Sequence, residues 1–147
     1  MRKIVIAAAM AALCLSSTAS VAENKSPEGA RVYFINLQDG QTVKSPFKVQ
    51  FGLSGMGVAP AGVEKENAGH HHLLINRPPL GKGEGGAQEL ENNLPADENH
   101  RHFGGGQTEV MLELPPGKHT LQLVLGDMNH IPHSPAVVSN VITITVE

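Results

Sequence analysis

Apolar and polar residues alternate along much of the chain. Phe47, Val49, Phe51 and Leu53 alternate with Lys48, Gln50, Gly52 and Ser54. Val110, Leu112 and Leu114 alternate with Glu109, Met111 and Glu113, and Ile142, Ile144 and Val146 with Thr143 and Thr145. Leu121, Leu123 and Leu125 form one face of another such run. A period of two marks a strand half-buried against a core. Residues 31–37 are mixed in pattern but rich in β-formers, and Val43 opens a short edge segment broken by Pro46. Asp39-Gly40, Pro115-Pro116-Gly117 and Gly126-Asp127 supply turns. No stretch carries a long helical period. Six or seven strands without a repeat predict an all-β fold, an antiparallel immunoglobulin-like β-sandwich of about seven strands.

Two stretches break the alternation. The first is His70-His71-His72-Leu73-Leu74-Ile75-Asn76, three histidines running into an apolar strand. The second is residues 77–106, rich in Gly, Glu and Asn. Thirty structureless residues are unusual in a compact domain and point to function or disorder. Residues 88–94 are expected to form a helical turn or two, with the rest of the loop's conformation open.

The N-terminus adds a compartment. Arg2 and Lys3 precede an apolar run over residues 4–15, and Ser20-Val21-Ala22 offers a small-x-small cleavage site. This predicts a secretory signal peptide over residues 1–22 and a periplasmic or secreted protein. The apolar run is short for a membrane span. Residues 23–29 then read as a flexible arm and 30–147 as one sandwich domain.

Cleavage leaves nine basic against fourteen acidic residues, a net charge of −5. That balance speaks against nucleic acid as a partner. The sole cysteine, Cys14, leaves with the signal. A disulfide, a cysteine nucleophile and a thiolate-ligated blue-copper site are thereby excluded. With no Trp and one Tyr, the chain lacks the aromatic platforms of a carbohydrate-binding module. Gly81-Lys82-Gly83-Glu84-Gly85-Gly86 lacks the ending of a phosphate loop. Met56 stands where a nucleophile elbow needs glycine.

What remains is imidazole, and the chain holds eight histidines. Strand residues two apart share a face. His70 and His72 therefore point one way with Leu74, while His71 points the other way with Leu73 and Ile75. His100 and His102 repeat the spacing, and His130 and His133 flank Ile131-Pro132. In immunoglobulin order the strand at His70 is C, and residues 127–135 join F to G. Strands C and F are neighbours in one sheet, which places the triplet beside the His130 loop. The expected metal ligands are His70, His72, His130 and His133, with His102 as a possible fifth. All-nitrogen ligation suits copper or zinc.

Supporting roles are expected of His71, His100, His119, Asp127 and Met128. Asp127 is placed to orient an imidazole as an outer carboxylate, and Met128 offers a thioether. His119 starts the F strand where a corner tyrosine often stands, so it reads as structural and bonded to backbone.

The segments 69–76, 102–109, 116–127 and 129–133 together resemble a bacterial exported family known as domain of unknown function 4399. Its marks are His-His-His-Leu-Leu at 70–74 and His-Phe-Gly-Gly-Gly-Gln-Thr at 102–108. The resemblance covers about residues 30–147. It implies a periplasmic or secreted setting and carries no established activity.

The function expected from these residues is binding and handling of copper or zinc outside the cytoplasm, rather than catalysis. The partner is the metal ion, with another envelope protein as a further candidate. One alternative is an enzyme with a histidine-bound water and Glu109 or Asp127 as base. Others are a pH-sensing cluster and an envelope scaffold whose histidines are structural.

Overall fold

A computed structural model describes residues 24–147. The expected signal peptide lies outside the described residues. Nine strands and one helical turn follow in order: β1 (Arg31–Phe34), β2 (Thr42–Val43), β3 (Phe47–Ser54), β4 (Gly57–Val58), β5 (Ala68–Ile75), α1 (Gly86–Glu89), β6 (His100–His102), β7 (Glu109–Leu112), β8 (Gly117–Gly126) and β9 (Ile142–Val146). Three of the nine are short additions at the edges or linkers.

One sheet has the order β1-β3-β7, and the other β2-β9-β8-β5-β4, with β6 added to β5. The first corresponds to strands A, B and E of an immunoglobulin-like sandwich, and the second to G, F and C. The small β2 strand runs parallel to β9, pairing Val43 with Val146. The fold is an all-β sandwich, as the alternation predicts.

The core between the sheets is built from the inward residues of each alternating strand. Val32, Phe47, Val49, Phe51 and Leu112 face Leu73, Ile75, Leu121, Leu123, Leu125, Ile144 and Val146. His119 stands at the corner entering β8. Its Nε2–H donates to the Pro115 carbonyl at 2.8 Å, and its Nδ1 accepts from the Asn76 amide at 2.9 Å. Both nitrogens are satisfied, so this ring holds the corner as expected.

Strand β5 is buried along its whole length. One face lies on the sandwich core. The other is covered by residues 77–99, which fold back over the outside of the sheet. Leu80 and Leu94 of that segment pack on Leu74 and Val124 in a second small core. Backbone bonds fasten it down: Leu80 N–H donates to Gln122 Oε1 at 2.9 Å, and Leu94 N–H to the His130 carbonyl at 2.8 Å. The helical turn lies at Gly86–Glu89, earlier than the expected 88–94. The loop then returns as β6 along the edge of β5.

The expected flexible arm is pinned at its start. Asn24 donates to the Ile131 and Pro132 carbonyls, and Ser26 Oγ to the Pro135 carbonyl at 2.7 Å. Among the described residues no helix is long and apolar enough to cross a membrane.

Candidate metal centre

The outer face of the β5–β8 sheet carries the cluster. Strand parity puts His70 and His72 on that face. β6 pairs with β5 in the register His72↔His102 and Leu74↔His100, so both β6 histidines share it. On the other side of β5, His70 pairs with Gly126, the last residue of β8. His130 reaches in from the loop immediately after.

That loop is tightly built. Asp127 Oδ1 accepts from the backbone N–H groups of Asn129 and Ile131 at 2.8 and 2.9 Å. His130 adopts φ 66°, a left-handed conformation uncommon for a residue with a side chain and often found at functional sites. Asp127 thus orients His130 through the backbone, where the sequence suggested a carboxylate bonded to a ring.

Four imidazoles converge. One ring nitrogen from each of His70, His72, His102 and His130 lies within 4.8 Å of all the others. His70 Nε2 is 3.0 Å from His72 Nε2 and 3.0 Å from His130 Nδ1. The His102 ring stands 4.5 Å from that of His130 and 5.0 Å from that of His70, centre to centre. An ion bonded at about 2.0–2.1 Å sets adjacent nitrogens roughly 2.9 Å apart in a square plane and roughly 3.4 Å in a tetrahedron. The two close pairs match this range. The four residues can hold a metal ion.

Two glycines make room. A Cβ on Gly126 would stand 2.8 Å from His72 Nε2, and one on Gly104 would stand 2.6 Å from His102 Nε2. Only glycine permits so close an approach of backbone to ring.

The rings are held neutral. Burial pushes His72 down to about 2, with repulsion from the charged forms of His70, His100, His102 and His130 adding to it. Burial, then His102 and His130, bring His70 to about 4, against the opposing pull of Asp127. His102 is exposed yet shifts downward too, from partial desolvation and then from His130. Neutral imidazole is the form that binds metal.

The chain matches the family "Domain of unknown function (DUF4399)" over residues 49–147. The chain belongs to that family. No curated protein and no solved structure matches it. The DUF4399 match begins within β3 and contains every strand and loop of the histidine cluster.

The remaining expected residues of this DUF4399 protein fall around that centre. His133 does not join the four. It is buried beside Gly69, whose Cβ would stand 3.0 Å from His133 Nε2. Gly69 shares the parity of His71, so His133 lies on the core side of the sheet; the Ile131-Pro132 turn sends the two loop histidines to opposite faces. There it lines a cavity of 480 Å³ with Met128, Asp127 and Glu66. Met128 is thereby placed with His133.

His71 faces the core as its parity predicts, 5.2 Å from Phe51 between ring centres. Neither of its nitrogens has a hydrogen-bond partner of normal geometry, and burial pushes it down to about 4. His100 lies directly behind the cluster, its Nε2 3.2 Å from His72 Nδ1. Its other nitrogen, Nδ1, meets Arg77 Nη1 at 3.0 Å. Arg77 also pairs with Glu89 of α1.

The two carboxylates considered as bases are otherwise engaged. Glu109 lies on the opposite sheet, paired with Lys48 at 3.0 Å, because β7 belongs to the A-B-E sheet. Asp127 caps its loop. Sequence reasoning missed Arg77 and the role of Gly126 beside His72. The available signals were the matching His-x-His spacings, which fit two paired strands, and a glycine ending a strand at the level of the first histidine.

Proposed function

We propose that this protein binds one transition-metal ion through His70, His72, His102 and His130, and that it handles that ion outside the cytoplasm. The observation that carries this reading is the convergence of four ring nitrogens with no carboxylate among them. A neutral imidazole has one N–H and one lone pair. His70 Nε2 faces two other ring nitrogens at 3.0 Å, more contacts than its single lone pair serves well. A shared cation answers that arrangement, and the lowered pKa of His70 and His72 disfavours a proton in that role. The contrast with His119 supports the same reading: that structural ring has both nitrogens bonded.

Copper is the first candidate and zinc the second, since both accept nitrogen-only ligation. His70 and His72 are buried while His102 is exposed, so an ion would enter and leave from the β6 side. Storage, delivery or buffering fits a site with a rigid floor and one accessible ligand. Export rests on the basic-then-apolar N-terminus.

Metal-stripped, untagged protein should bind one equivalent of Cu(II) or Zn(II) at least micromolar-tight. The double variant His72→Ala/His130→Ala should lose that binding. Equal affinity in the variant would remove the composite site from consideration.

A further inference from the structure

Arg77 sits where it controls which nitrogen His72 presents. An arginine side chain has only donors. Its 3.0 Å contact therefore makes His100 Nδ1 an acceptor, and neutral His100 must carry its proton on Nε2. That N–H donates to His72 Nδ1 at 3.2 Å. Neutral His72, accepting on Nδ1, carries its own proton on Nε2. This nitrogen points at His70 Nε2, 3.0 Å away, inside the centre. The chain of donors Arg77, His100, His72 thus runs inward and ends with an N–H aimed at the place a cation would occupy.

A cation takes a lone pair. For His72 to offer Nε2, its proton must stand on Nδ1, and His100 Nε2 must accept it. His100 then carries its proton on Nδ1, facing the donors of Arg77. Each ring keeps one proton throughout, and only the positions change. Two donors cannot share that 3.0 Å contact, so Arg77 has to leave His100. Its positive charge, one imidazole removed from His72, opposes a cation as well. The ion pair with Glu89 gives the guanidinium a second anchor, so it can swing off His100 without losing every partner.

We propose that Arg77 is a latch on the histidine centre: bonded to His100 it holds His72 in the form that refuses a cation, and loading requires its release. The inference rests on the metal reading above and names a control of that site. Arg77 is a positioning residue that acts through His100.

The test uses nitrogen-15 NMR of the histidine rings in untagged, metal-free protein, followed by Zn(II) titration. The expected wild-type result is His72 protonated on Nε2. In Arg77→Met the proton should shift toward Nδ1, and Zn(II) should bind about tenfold tighter, the scale of one charge-assisted hydrogen bond. Arg77→Gln, whose amide both accepts and donates, should give the same direction if the methionine variant does not fold. Wild-type His72 protonated on Nδ1 would overturn the latch, as would Zn(II) binding that is unchanged or weaker in the variants. Absence of Zn(II) binding in every protein would overturn the latch on loading and the metal reading together; a tautomer shift seen in that case still separates the relay from the metal.

Discussion

Acidifying the metal-free protein from pH 7 to pH 5 should bring it close to unfolding. His70, His71 and His100 are held at about 4 and His72 at about 2, each chiefly by burial. Their unfolded value is 6.5. Between these limits the unfolded chain binds protons that the folded chain refuses, so stability falls as pH falls. The loss begins near pH 6.5 and ends near pH 4 for three rings, and lower for His72. At pH 5 an unfolded ring is about 97% protonated and a folded one about 10% or less, so linkage costs about 2 kcal/mol per ring. All four rings are at most 1% exposed, so solvent screening removes little of this. Together the four rings account for several kcal/mol by order of magnitude, comparable with the whole stability of a small domain, about 5–15 kcal/mol. Urea unfolding followed by circular dichroism at half-unit pH steps would measure it. The expected slope near pH 5.5 corresponds to three to four protons taken up on unfolding, by order of magnitude. A urea midpoint that is flat or rising between pH 7 and pH 5 would refute the reasoning.

Three further outcomes follow from single contacts. Gly126→Ala should keep the fold yet weaken Zn(II) or Cu(II) binding at least tenfold by calorimetry, because its methyl would stand 2.8 Å from His72 Nε2 and sites tolerate only about 0.5 Å of misplacement. His119→Leu should lose about 2 kcal/mol in urea unfolding, through the orphaned Pro115 carbonyl and Asn76 amide, with metal affinity unchanged. Leu94→Ala, in the cover over the outer sheet face, should cost about 2–3 kcal/mol and shorten the half-life of metal loss to a chelator, since it loosens the packing of the segment whose backbone N–H holds the His130 carbonyl.

The sheets were legible because each strand carries its own period. Phe47-Val49-Phe51 and Leu121-Leu123-Leu125 face one core in the structure as they do in the pattern. Parity also split the histidine triplet correctly, sending His71 to Phe51 and His70 and His72 outward. The adjacency of strands C and F brought His130 to the triplet. The cover was not legible. Residues 77–99 show no period because only Leu80 and Leu94, fourteen positions apart, reach an apolar partner. Strand β6 is three residues long, too short for any pattern, and its register with β5 alone admits His102. His133 was misplaced because parity was applied within strands and not across the Ile131-Pro132 turn.

The histidines weaken the apo fold, and that cost bears on their role. His70 Nδ1 and both nitrogens of His71 and His133 are buried without hydrogen-bond partners, a state that costs about 1–3 kcal/mol per group. A structural role would select satisfied rings, as at His119. An apolar side chain in place of His70 would carry no such orphaned nitrogen. The rings stand instead on paired strand backbone: His70 and His72 on β5, and His102 opposite His72 on β6. Only His130 comes from a loop, and Asp127 fixes that loop through two amides. Ligands held this way lose little freedom when an ion arrives, so affinity is not spent on ordering them. A preformed set of neutral imidazoles that destabilises the empty protein gains stability on loading, by mass action. Loading therefore matters most to the fold below pH 6.5, where the unfolded chain takes up protons that the buried rings of His70 and His72 refuse.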